Sequence, residues 1–358
     1  MQDILATAPT FVAPTPVLRP QAEKPLRPLR SFGRFLLAIV YFLLARVFAR
    51  HGAIGLVPES WVPVVEQAML VFLLVMGYAG MAFVLDRQVK PVSRQGLPLR
   101  SGWSREAGLG IAFGWTIAVI CALLMALFGG IALQLSFSVA GLGWFCVDLV
   151  YYALFTLAIQ VVYRGYPFEQ AIAAMGEIPA TLMLAVLYGI LRNALPGASG
   201  ASMGVSVALS LLLAMATLRT RALWLPWGLH FGWIASRALL FGLPVSGVNS
   251  RSTLIQGDSM ARLWISGGQF GLDGSWLAFF VLLLAMPFLY RATRDLSFHF
   301  NAPVLEPAGV PVDLDAAARR QHEAAMGEQA PAEPGLVQIL PVTPAPPPLA
   351  SDLDGPRD

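Results

Sequence analysis

Eight apolar stretches recur along this chain, at residues 33–49, 62–85, 107–128, 142–163, 178–195, 202–218, 222–241 and 275–290. Each is near the length of about 20 residues that a bilayer core requires. Hydrocarbon offers the backbone no hydrogen bonds, so each stretch must satisfy its own N–H and C=O groups as a helix. The composition agrees. Of 358 residues, 56% are hydrophobic and only 13% are charged, against about 25% charged in an ordinary soluble domain. The expected fold is therefore all-α, a polytopic membrane helical bundle of about eight transmembrane helices. The first stretch is short and carries Arg34 and Arg46, whose long stems allow them to snorkel.

The flanks differ in kind. Residues 1–32 are rich in proline and basic residues, and residues 301–358 are rich in proline and alanine. Neither can bury a core, so both are expected to be disordered tails around a membrane domain at 33–300. Within the second tail, "LDAAARRQHEAAMGEQ" suits one short helix. No cleavable signal sequence is read in the first thirty residues. Lys and Arg gather in alternate loops: Arg87, Lys90, Arg94, Arg100 and Arg105 in the second, Arg164 in the fourth, Arg219 and Arg221 in the sixth. The third and fifth loops have none, while Arg50, Arg251 and Arg262 blur the contrast in the first and seventh. The positive-inside rule then puts both termini in the cytoplasm. The net charge of +3 is small and scattered between apolar runs, so no nucleic-acid partner is expected. Cys121 and Cys146 both lie inside apolar runs and read as buried small hydrophobes. The residues name no cofactor and no metal site.

Polar groups inside such spans are costly and each is a site hypothesis. In the fourth span Asp148, Tyr152, Thr156, Gln160 and Arg164 recur every four residues. Neighbours in this row touch, and the row drifts about 40° per step around the helix. Helix packing and the lining of a site are equally good readings of it. The fifth span ends with Arg192 and Asn193, and the seventh carries His230 and Arg237. Asp148, Arg192 and Arg237 are expected at similar depth, with Asp148 pairing one of the two arginines to lock the outer half of the bundle.

Three short stretches then point to a family. Ile159-Gln160-Val161-Val162-Tyr163-Arg164-Gly165 aligns with a motif of two glutamates, three residues and an arginine followed by glycine. Tyr188-Gly189-Ile190-Leu191-Arg192 aligns with an aromatic residue three before a histidine, and His230 with Ile234 aligns with a histidine four before an asparagine. Over residues 100–290 the chain resembles the CAAX protease and bacteriocin-processing family (CPBP, or Abi), polytopic intramembrane proteases. The resemblance implies hydrolysis of a peptide bond in or near the membrane, by a water that glutamates and histidines activate, and it leaves open whether a metal takes part.

This chain departs from that pattern. The glutamate positions hold Ile159 and Gln160, the second-motif histidine is Arg192, and the third-motif asparagine is Ile234. Of the polar set, only Arg164 and His230 are retained. A base must accept the water's proton, and neither an amide, an alkyl chain nor a guanidinium does so. The expected function is a degenerate family member, a pseudoprotease that binds a membrane protein or peptide in the lipid bilayer. An active protease using His230 with an unconventional partner such as Asp148, and a small transporter or lipid-binding protein, are the alternatives. The flanking motifs look bacterial, which implies a multi-pass protein of the plasma membrane. The oligomeric state and the role of the outer loop at 242–274 are not legible.

Overall fold

The computed structural model describes residues 28–252 and 254–296. Most of both expected tails, including the helix expected near residues 314–329, lies outside the described residues. The described chain is a bundle of nine main helices. These are α1 (Pro28–Leu56), α2 (Val62–Asp86), α3 (Trp103–Phe128), α4 (Val139–Arg164), α5 (Tyr166–Met175), α6 (Glu177–Asn193), α7 (Gly200–Thr220), α8 (Trp224–Ala235) and α9 (Trp276–Ala292). Each apolar stretch read from the sequence is a helix here, and the all-α membrane bundle stands. Six segments are long and apolar enough to cross a membrane, with α4 and α5 counted as one and the short turns before α2 and α9 included. The other two, α6 and α8, are shorter. A π turn at Ser236–Leu240 extends α8.

Local chemistry sets the boundaries. Among the described residues helix α1 runs Pro28–Leu56 and so includes the five residues before the expected span. Its far end stays helical through Arg50, which pairs with Glu66 on α2 at 3.3 Å. Arg34 does not snorkel. Its guanidinium bonds the Asp86 carboxylate and donates to the Leu85 carbonyl at the end of α2. Ser138 and Ser275 cap α4 and α9 by accepting from backbone amides three residues on. Between α4 and α5 the chain turns at Gly165, where an added Cβ would lie 2.5 Å from the Val161 carbonyl oxygen. Pro167 then sits in the first turn of α5.

The loops meet in two layers. In one, β1 (Ile131–Leu135) pairs antiparallel with β2 (Ile255–Ser259), and Arg251 donates to the Ser60 carbonyl at 2.8 Å. The expected outer loop thus contains a strand, built on a segment, IQGDS, with no alternating pattern to announce it. In the other layer Leu223 N donates to Gly96 O at 2.6 Å, Trp224 Nε1 to Pro98 O at 2.8 Å, and Arg221 pairs with Glu177 at 3.0 Å. Helices α6 and α8 both join these layers, despite their shortness.

At the centre, α3 and α8 interlock through small residues. A Cβ on Gly110 would lie 2.3 Å from Leu225 O, and one on Gly114 would lie 2.1 Å from Leu229 O. On the facing helix, Gly228 and Gly232 approach Ala107 O and Ile111 O as closely. Lipid tails are as apolar as leucine, so close backbone approach and dispersion hold such helices together. This seam holds α8, and with it His230, in the middle of the core.

Candidate functional site

Helix α4 supplies one wall of the site and α8 the other. Gln160 is fully buried on α4, and its Nε2 lies 3.0 Å from His230 Nδ1 on α8. This contact joins the two helices through an amide and an imidazole. Gln160 Oε1 is buried without a partner. One turn further along α4, Arg164 donates through Nη2 to the Ser210 carbonyl at 2.8 Å and to its hydroxyl at 2.9 Å, both on α7. Its Nε and Nη1 are buried without hydrogen bonds. The partner of this arginine is therefore a helix carbonyl and a hydroxyl.

Ile159 faces a different space. It lines a cavity of about 570 Å³ together with Tyr152, Tyr163, Tyr188 and Arg192, and the turn Val245–Val248 closes part of its wall. Simple straight spans place Gln160 and Arg192 at opposite ends of the bundle. In the structure Ile159 shares the cavity with Arg192, and the Tyr163 and Tyr188 rings meet edge to face at 5.1 Å, while Gln160 points to His230. Ile234 is buried in the core and lines no cavity wall with the others.

The expected lock between Asp148 and an α6 or α8 arginine is not formed. Asp148 accepts from the Arg251 and Ser252 amides at 2.7 and 2.9 Å and from Arg251 Nε at 2.8 Å. Three N–H donors fill this carboxylate, which anchors the loop before β2 rather than serving His230. Arg192 and Arg237 instead share Asp273. Arg237 Nη1 lies 2.9 Å from Oδ1, Arg192 Nη2 lies 3.1 Å from Oδ2, and Ser246 Oγ donates to Oδ2 at 2.6 Å. Arg192 also bonds the Ser246 hydroxyl. Asp273 was missed in the sequence because it stands among glycines outside the apolar runs. The signal was an isolated acid two residues before the serine cap of a helix. Among the described residues, no three His, Cys, Asp or Glu side chains converge to hold a metal ion.

The comparison with known families falls on this same region. Residues 142–236 match the family described as Type II CAAX prenyl endopeptidase Rce1-like. This stretch of the chain, about a quarter of it, is similar to that family. The match contains Ile159, Gln160, Arg164, Arg192, His230 and Ile234, and the resemblance read from three motifs stands. No curated protein and no solved structure matches the chain.

Proposed function

We propose that this Rce1-like chain is a pseudoprotease, which holds a membrane protein or peptide in its cavity without cutting it. The contact between Gln160 and His230 carries the reading. At a position where the family resemblance implies a glutamate, His230 has a neutral amide as its hydrogen-bond partner. A base must accept the water's proton, and an amide has no basic carboxylate to do so. Ile159 offers no polar atom, and Arg192 is a permanent cation already engaged with Ser246 and Asp273. The layer rich in Lys and Arg, with both chain ends, faces the cytoplasm of a bacterial plasma membrane under this reading.

The test is terminal proteomics of membranes from a deletion strain, the same strain carrying wild type, and the same strain carrying His230→Ala. The expected result is that no cleaved terminus depends on His230. Termini lost in the deletion, restored by wild type and not by an equally abundant His230→Ala protein would overturn the proposal.

A further inference from the structure

Arg46 stands near the middle of α1, exposed, and among the described residues no hydrogen bond or ion pair reaches it. The other arginines inside the bundle have partners: Arg34 has Asp86, Arg164 has Ser210, and Arg192 and Arg237 have Asp273. Along α1, Arg46 stands twelve residues after Arg34, which pairs with Asp86 at the end of α2, and ten before Leu56, about 18 Å and 15 Å at 1.5 Å per residue. A hydrocarbon core is about 30 Å thick. With α1 read as a membrane span, the guanidinium stem leaves the helix within hydrocarbon depth, where an unmatched cation is costly. Its side chain lines the 570 Å³ cavity beside Phe42, Phe155 and Tyr163. It also lines a smaller adjoining pocket with Glu66, but Glu66 is held by Arg50.

We propose that Arg46 receives the carboxylate of an acidic side chain carried by a membrane-embedded peptide seated in this cavity. The inference rests on the reading of the cavity as a peptide-holding site and names what that peptide must carry. Guanidinium and carboxylate match as a two-point, charge-assisted hydrogen-bonded pair. The aromatic wall takes the apolar residues that flank the acid in a membrane segment. Lipid phosphates lie outside the hydrocarbon core, so a side chain delivered at depth suits this arginine better than a headgroup.

The experiment uses the full chain in phosphatidylcholine nanodiscs and a dye-labelled Leu/Ala peptide of about 20 residues, long enough to span, with one central Glu. Its counterpart carries Gln. Energy transfer from a donor on the protein reads binding. The Glu peptide is expected to bind about tenfold tighter or more, as a hydrogen bond to a charged group implies. Arg46→Gln removes this preference and leaves Gln-peptide binding unchanged, while Arg46→Lys retains part of it. Equal binding of the two peptides, or a preference that survives Arg46→Gln, overturns the inference and leaves the peptide-holding reading intact. Binding of neither peptide defeats both. Loss of the preference when phosphatidylglycerol is added to the discs assigns Arg46 to lipid headgroups and overturns the inference as well.

Discussion

Replacing Asp273 with asparagine tests the ionic centre that joins α6, the π turn after α8 and the segment before α9. The substitution keeps shape and volume, so no cavity opens. It removes the one negative charge between two guanidinium groups. Arg237 is 0% exposed. Without Asp273 it keeps a bond from Nε to the Trp233 carbonyl at 3.1 Å and its stacking on the Trp233 ring at 4.2 Å. Removing one partner of a buried ion pair typically costs about 3–5 kcal/mol. For a folded unit of this size, each kcal/mol lowers the melting temperature by about 2–4 °C, so a fall on the order of 10 °C is expected. Tryptophan fluorescence during heating in detergent reads it. Arg237→Met alone should also destabilise, because it strands Asp273 beside Arg192 only. The double variant should melt above the sum of the two single effects, since both buried charges leave together. Arg192, whose side chain is 17% exposed, keeps water as a partner, so Arg192→Met should cost about 1 kcal/mol. An Asp273→Asn protein that melts with wild type would refute the argument. So would a double variant whose loss is simply additive.

Three further outcomes are expected. Gln160→Glu places a carboxylate one turn from Arg164, whose Nε and Nη1 lack partners; it should raise thermal stability by on the order of 1–3 kcal/mol, and a lower melting temperature would contradict the account of Arg164. Gly114→Val puts a Cβ 2.1 Å from the Leu229 carbonyl and should destabilise by about 1–3 kcal/mol by overpacking the seam, whereas Gly108→Ala, with nothing within 4 Å, should melt as wild type does. Asp148→Asn weakens three hydrogen bonds to Arg251 and Ser252, and hydrogen exchange at those two amides should speed up several-fold while helical content is unchanged.

The helices were legible because apolar runs of membrane length have one stable backbone solution. Their ends were less so. The stop at Gly165 depends on local backbone geometry rather than on hydropathy. The site was legible as a set of motif positions but not as a set of contacts. Nothing in the spacing of Gln160 and His230, seventy residues apart, gives their distance; the glycine seam between α3 and α8 does that in three dimensions. Ion pairing was misread for a similar reason. Depth along a straight span suggested that Asp148 would meet Arg192 or Arg237, while the partners of all three come from the segment 246–273, whose path no periodicity announces.

The row on α4 shows how the motif could change while the fold persisted. Four steps of four residues turn the row through about 160°, so its members cannot share one face. Yet all five are buried, because α4 is covered on different sides by different elements. Asp148 anchors the loop before β2, Tyr152 lines the cavity, and Thr156 donates back to the Tyr152 carbonyl. Gln160 meets α8, and Arg164 ties α4 to α7. Bonds that place this helix are thus made on both sides of Gln160, by Asp148, by the Ala153 carbonyl, which accepts from Trp227 Nε1 at 3.0 Å, and by Arg164. Gln160 contributes one neutral hydrogen bond between them, worth about 1 kcal/mol. Under the proposed reading, an amide at that position leaves these anchors in place. With Ile159 beside it no carboxylate is offered for proton transfer, while the neighbouring cavity keeps the walls that a held peptide needs.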